Sequence, residues 1–249
     1  MEPANILQEI AGEVAGCKLC QLSYSRKKAV PGEGPPGAEI MLIGEGPGFY
    51  ENEQGRPFVG AAGNFLNELL EKAGVSRKDV FITNVVKCRP PGNRDPLPEE
   101  LSACGTYLER QIETINPLVI VTLGRFSMAR FLPNVRISEV HGQPAWVKGR
   151  LIVPMFHPAA ALHQPSLKTS VERDFARLPE WIRQARASER PAAERVPAPP
   201  APENRPAAAP VPETPGMLFD LDSIDPKQPE GTETEQPPRK DKPKQLSLF

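Results

Sequence analysis

Apolar residues recur along most of the chain in two rhythms, and the last quarter has neither. Ile6, Leu7, Ile10 and Val14 fall at helical spacing, which predicts an amphipathic helix over residues 4–15. Four short apolar runs read as strands: 40–43 (IMLI), 79–86 (DVFITNVV), 117–123 (PLVIVTL) and 151–156 (LIVPMF), the last in spite of Pro154. Helical segments are predicted between and after them: an apolar-periodic stretch from Phe65 to Leu70, a helix over 98–115, one from Gly124 to about Phe131, and an amphipathic helix over 173–187. Residues 135–148 read as an irregular excursion or a hairpin. Alternating strands and helices predict an α/β domain, a three-layer α/β/α sandwich on a short, mainly parallel, four-stranded sheet.

Composition divides the chain near residue 188. Of 31 prolines, 14 lie in residues 188–249, among alanines and acids with few apolar anchors. Such a segment buries too little surface to offset its ordering entropy, so a globular domain over 1–187 and a disordered Pro/Ala-rich linker over 188–244 are expected. Residues 1–187 carry 22 Lys+Arg against 20 Asp+Glu and the remainder 8 against 11, so net charge gives no nucleic-acid signal. No apolar run approaches the ~20 residues that a membrane span requires. The first residues lack a basic segment and a long apolar core, so no signal peptide is expected and a cytoplasmic location is.

The candidate chemistry gathers after the strands. Residues 44–63, GEGPGFYENEQGRPFVGAAG, form a glycine-rich turn between the first strand and a helix, where a parallel sheet places its ligand site. They contain neither GxGxxG nor GKS/T, which excludes the dinucleotide fingerprint and the P-loop. Three turns should meet at one sheet edge: 44–48 with Phe58, Thr83-Asn84, and His157-Pro158. Glycine-flanked amides bind a carbonyl oxygen, Phe58 offers a flat face, and Asn84 offers one donor and one acceptor. His157 can donate to an oxygen that gains negative charge, while Glu45 or Glu51 could orient a water. Together they describe a pocket for a planar, hydrogen-bonding heterocycle. Cys17 and Cys20 form a CxxC, with Cys88 and Cys104 further on. That spacing leaves three readings open: an iron–sulfur cluster, a zinc site that fits ribbon spacing poorly, or unligated thiols. Arg26, Lys27 and Lys28 are either a solvated cluster or a phosphate contact.

The segments GEGPG, GRPFVGAAGNFL, TNVVKCRPPGNRDP and HPAAAL resemble the motifs of the family 4 uracil-DNA glycosylases, the iron–sulfur members of their superfamily, over residues 15–185. The resemblance implies a [4Fe–4S] cluster held by Cys17, Cys20, Cys88 and Cys104, which match that family's ligands in order and spacing. It implies an enzyme of base excision repair that flips uracil out of single- or double-stranded DNA and hydrolyses its glycosidic bond. Uracil would stack on Phe58, and Asn84 would read its N3–H/O4 edge. The backbone near Glu45 and Gly46, with His157, would stabilise the departing base, and Glu45 is the acid that serves the sugar. No lysine is assigned to the pocket, so a monofunctional enzyme is expected, and the protein is expected to be a monomer. Lys87, Arg89 and Arg94 become candidate DNA contacts, and Leu162 a candidate duplex-inserting residue. Two positions depart from the family pattern: Asn52 stands where an acid is usual, and His163-Gln164 where an arginine often follows. These departures keep alive a rival reading, a non-catalytic iron–sulfur DNA-binding module recruited by the sliding clamp.

The chain closes on QLSLF, residues 245–249, which resembles the peptide by which bacterial repair proteins dock on the β sliding clamp. Gln245 would reach polar surface while Leu246, Leu248 and Phe249 fill an apolar pocket. A motif on a flexible leash raises effective concentration without fixing geometry. Met217-Leu218-Phe219 is a weaker candidate of the same kind.

Overall fold

The helical spacing of the first residues becomes α1 (Pro3–Gly16) in the computed structural model, which describes residues 2–188. Ile10 and Val14 are its buried face, and the short helix α2 (Leu22–Ser25) follows the CxxC. Strand β1 (Ile40–Gly44) leads through α3 (Phe49–Gln54) and α4 (Ala61–Lys72) to β2 (Val80–Asn84). Next come α5 (Pro98–Ile115), β3 (Val119–Leu123), α6 (Arg125–Ala129) and α7 (Ile137–Val140). The chain then forms β4 (Ala145–Val147), β5 (Arg150–Met155), α8 (Pro158–His163), α9 (Lys168–Ala176) and α10 (Leu178–Ala187). The linker expected over 188–244 lies beyond these residues from 189 onward, as do Met217-Leu218-Phe219 and the clamp-type peptide with Gln245, Leu246, Leu248 and Phe249.

The sheet order is β2-β1-β3-β5-β4. The first four strands run parallel, as the alternation predicts, with Gly44 opposite Asn84 and Thr122 opposite Pro154. The expectation of four strands is corrected to five, because part of the 135–148 excursion folds back as β4. It pairs antiparallel with β5, making a mixed sheet, and at three residues it is too short to show a period of two. Pro154 is tolerated although its strand is not at the edge of the sheet.

Alternate residues of each strand serve opposite layers. Ile40, Leu42, Val119 and Val121 pack with Leu66 and Leu69 of α4, Phe175 of α9 and Trp181 of α10. Met41, Ile43 and Ile120 pack instead with Leu108, Ile112 and Ile115 of α5. Both faces of the parallel strands are covered, which is why they read as unbroken apolar runs. α1 lies outside α5, tied by Arg110, whose guanidinium donates to Glu13 at 2.5 Å and to Glu9 at 3.0 Å. No helix among the described residues is long and apolar enough to cross a membrane.

Trp181 is 1% exposed in the first layer, so Trp181→Ala opens a cavity the layer cannot refill. Chemical denaturation should show a loss of about 3–5 kcal/mol.

Candidate active site

The strand order places four carboxyl ends side by side: Asn84 on β2, Gly44 on β1, Gly124 after β3 and His157 after β5. The chain leaves β1 toward β2 on one flank and returns on the other as β3, which makes this edge a switch point of the sheet. Gly44 is the floor. A Cβ there would run into Asn84 Oδ1 and come within 2.8 Å of the Phe58 ring. The bare Cα therefore lets the amide and the aromatic ring meet. Gly124 is a glycine for a different reason: its φ of +93° is one that side-chain-bearing residues rarely adopt, whereas an added Cβ would make only an ordinary contact with His157 at 3.4 Å.

Phe58 adopts φ +52°, a left-handed conformation that costs an L-residue about 1–2 kcal/mol. Two contacts hold it there. Gly63, inside α4, lies against the Phe58 carbonyl so closely that a Cβ would overlap it. Glu51 accepts hydrogen bonds from the amides of Val59 at 2.9 Å and Gly60 at 3.1 Å. Glu51 thereby ties the Phe58 loop to α3 through Oε1, a structural use besides the water-orienting one expected of it. The Phe58 ring stacks on the His157 ring, with centroids 5.5 Å apart and planes inclined by 26°.

His157 begins α8, and its Nδ1 accepts from the Ala159 amide at 3.1 Å. With Nδ1 an acceptor, the proton of the neutral ring sits on Nε2, leaving a donor for a ligand. Burial pushes the ring down to about 4, against the opposing pull of the Glu51 charge, so it stays neutral at physiological pH. Glu45 moves the other way: burial first, then the negative charge of Asp95, raise its carboxyl above the ordinary range, and Arg125 opposes them. Arg125 and Asp95 form an ion pair at this mouth. Neither was among the candidates, although Arg125 directly follows the glycine that ends β3. Gly46 backs onto Val86 and Pro90, so the 44–48 turn leans on the loop after β2.

Asn84 is 1% exposed, and its Oδ1 is buried without a hydrogen-bond partner among the described residues. Such an acceptor costs about 1–3 kcal/mol until something donates to it. Thr83 faces away, donating to the Pro31 carbonyl at 3.0 Å.

One candidate DNA contact, Lys87, is corrected, and a second, Arg94, is found engaged within the protein. Lys87 is 1% exposed and turned inward, donating to Thr83 Oγ1 at 2.6 Å, Gln111 Oε1 at 2.7 Å and the Asn84 carbonyl at 2.9 Å. It cannot reach a phosphate as held; it anchors the end of β2 from below. Arg94 grips buried Glu100 with two bonds of 2.6 and 2.9 Å, and Glu100 in turn accepts the Leu97 amide at the start of α5. Arg89 and Leu162 do reach the surface, Leu162 being 48% exposed on α8. Asn52 is buried and accepts the Lys27 amide at 2.9 Å, so an amide at this position has a structural use.

Cys88 and Cys104 are buried and Cys17 and Cys20 half-buried. Cys20 packs with Cys88 and Cys104 in one small cluster beside Leu22 and Val86, and Cys17 borders the neighbouring cluster of α1 with Tyr107. Burial raises the thiols of Cys20 and Cys88, and that of Cys104 to about 11. No three of the described ligand-type side chains are arranged as a closed metal site. The surroundings nevertheless suit thiolate sulfur: Arg26 donates to Cys88 Sγ at 3.1 Å, and the amides of Leu19 and Lys87 approach Cys17 Sγ and Cys104 Sγ at 3.5 Å. Arg26 also holds the Ala15 carbonyl, so its guanidinium faces the cysteines rather than a phosphate.

The family model described as the uracil DNA glycosylase superfamily matches residues 31–178. The chain is 48% identical over 184 residues to a type-4 uracil-DNA glycosylase of Sulfurisphaera tokodaii, covering 70% of this chain and 84% of that one. It is 46% identical to the protein of the same name from Archaeoglobus fulgidus, over 70% of this chain and 92% of the relative. The type-4 uracil-DNA glycosylase of Thermotoga maritima is also 46% identical, over 71% and 95%.

Gly63→Ala should push Phe58 out of its strained position while α4 persists. Ligand binding at this edge, read by calorimetry with free uracil, should fall by about tenfold or more, an aromatic stack being worth about 1–3 kcal/mol.

Proposed function

The chain belongs to the uracil DNA glycosylase superfamily, among its type-4 members, and we propose that it excises uracil from DNA by hydrolysing the N-glycosidic bond, leaving an abasic site. The observation that carries this reading is the orphaned Oδ1 of Asn84 beside the Phe58 ring. The N3–H of uracil donates to Oδ1 and its O4 accepts from Nδ2. Cytosine offers an acceptor at N3 and an amine at C4, so it leaves the amide mismatched. Phe58 stacks the extruded ring.

Chemistry follows from the two shifted groups. As the bond to C1′ breaks, negative charge gathers on uracil O2 and positive charge on the sugar. The neutral His157 ring donates Nε2–H toward that oxygen, supported by the backbone near Glu45 and Gly46. Glu45, ionised, stabilises the cationic sugar and positions the water whose oxygen bonds to C1′. Lys87 is held by three oxygens and offers no free amine, which supports a monofunctional enzyme. Both single- and double-stranded DNA are proposed substrates, with Arg89 and Leu162 at the strand.

Cys17, Cys20, Cys88 and Cys104 are proposed to hold a [4Fe–4S] cluster. When bound, it supplies a covalent staple between the end of α1, the loop after β2 and α5. Residues 245–249 are proposed to dock on a sliding clamp.

Excision from a single-stranded oligonucleotide bearing one uracil, resolved after alkali, tests the reading. Asn84→Ala and His157→Ala should each lower kcat/KM by on the order of 100-fold or more in protein that still folds, and full activity in both would overturn the pocket. The pH profile should carry no limb from a histidine near its ordinary value, because His157 protonates only near 4. Its acid limb should lie above the usual glutamate range, since the raised carboxyl of Glu45 loses its charge as pH falls, and Glu45→Gln should abolish that limb. Deleting residues 245–249 should remove binding to immobilised clamp and leave excision from oligonucleotides intact; retained binding would sink the docking assignment.

A further inference from the structure

Phe49 and Tyr50 are consecutive, and both are exposed, by 53% and 58%. They form the first turn of α3, directly after the 44–48 turn that floors the pocket. Their rings meet edge to face, 5.4 Å apart at 86°, so each fixes the other's orientation. The Arg89 guanidinium lies over the Phe49 ring, 5.3 Å from its centroid, and its Nε donates to Asn93 Oδ1 at 2.8 Å. Tyr50 rests against Gly60, whose amide Glu51 holds, and Gly46 rests against Pro90 next to Arg89. An ordered aromatic pair and a cation thus bridge the two loops that frame the pocket.

We propose that Phe49, Tyr50 and Arg89 form a stacking platform for the nucleotide next to the extruded uracil on the same strand. The inference rests on the excision reading and adds a subsite to it. Exposed aromatic faces held apart from the core bind unpaired bases by stacking, without regard to sequence. Arg89 adds the charge that a flanking phosphate requires, and among the described residues only its Nε is hydrogen-bonded, to Asn93. A base stacked here is unstacked from its own neighbours, so the platform favours single-stranded over duplex uracil. The pocket then reads which base, and the platform reads that the strand is open.

The test compares the full-length protein with Phe49→Ala/Tyr50→Ala on single-stranded oligonucleotides that extend zero, one, two or four nucleotides to either side of one uracil. For the parent protein, KM should drop about tenfold when the first nucleotide is added on one side. In the double variant that drop should vanish while kcat and the melting midpoint hold. Phe49→Tyr/Tyr50→Phe should restore it, because the stacking faces return. Arg89→Ala should raise KM and flatten its dependence on salt. A double variant that follows the parent at every length overturns the platform, and so does one that loses kcat at unchanged KM. If the parent protein excises no uracil, the base-excision reading fails separately. Anisotropy with uracil-free single strands then judges the platform, and equal affinity of parent and double variant overturns it.

Discussion

The bare Cα of Gly44 is where two side chains from different parts of the chain share one volume. Asn84 arrives from β2 because its Cα is paired in register with Gly44, and Phe58 arrives from the loop before α4. Any side chain at 44 would displace the amide, the ring or both. The surrounding structure can be read as the means of holding that approach: Gly63 leaves room for the Phe58 carbonyl, Glu51 binds the loop's amides, and Gly124 supplies the left-handed turn after β3. Strain at Phe58 persists because these contacts over-determine it. The acceptor left without a donor on Asn84 is the complementary debt, relieved by a ligand rather than by the fold.

Burial acts with opposite sign on the two ionisable groups of the site. It disfavours charge on both, so the His157 ring falls to about 4 and the Glu45 carboxyl rises. The neutral ring suits a donor to an oxygen that must not be protonated outright. The carboxylate gains most by standing near a developing cation, because burial has made its isolated charge expensive. Arg125 moderates that expense, and Asp95 restrains Arg125 through their ion pair.

Strand positions, layers and the convergence of Asn84 and His157 on one sheet edge were legible because each depends on local pattern: an apolar run, then a polar residue where the run ends. What was not legible depends on partners distant in sequence. Lys87 looks like any basic residue after a strand, and its inward turn is set by Gln111 on α5. Arg94 looks equally free until Glu100 is seen to be 1% exposed beneath it. β4 escaped because three residues cannot display alternation, and its pairing is fixed by β5. In the same way the tie of Glu51 to the amides at 59 and 60 is one that no spacing rule anticipates.

The same long-range dependence connects the cysteines to the pocket. Three residues separate Asn84 from Cys88, and one of them, Lys87, has its ammonium on the Asn84 carbonyl and its amide toward Cys104 Sγ. Arg26, anchored on the Ala15 carbonyl, reaches Cys88 from the other side. A displacement of α1 or of the CxxC therefore pulls on the segment that ends in Asn84, through bonds of ordinary length and few side chains. On the proposed reading, substitution of a cysteine should consequently be felt first as a misplaced amide, in discrimination between uracil and cytosine, before it is felt as global unfolding. The two apolar layers do not include these cysteines and would persist without them. The N-terminal segment is in this sense a brace for the recognition edge, set outside the core that gives the domain its stability.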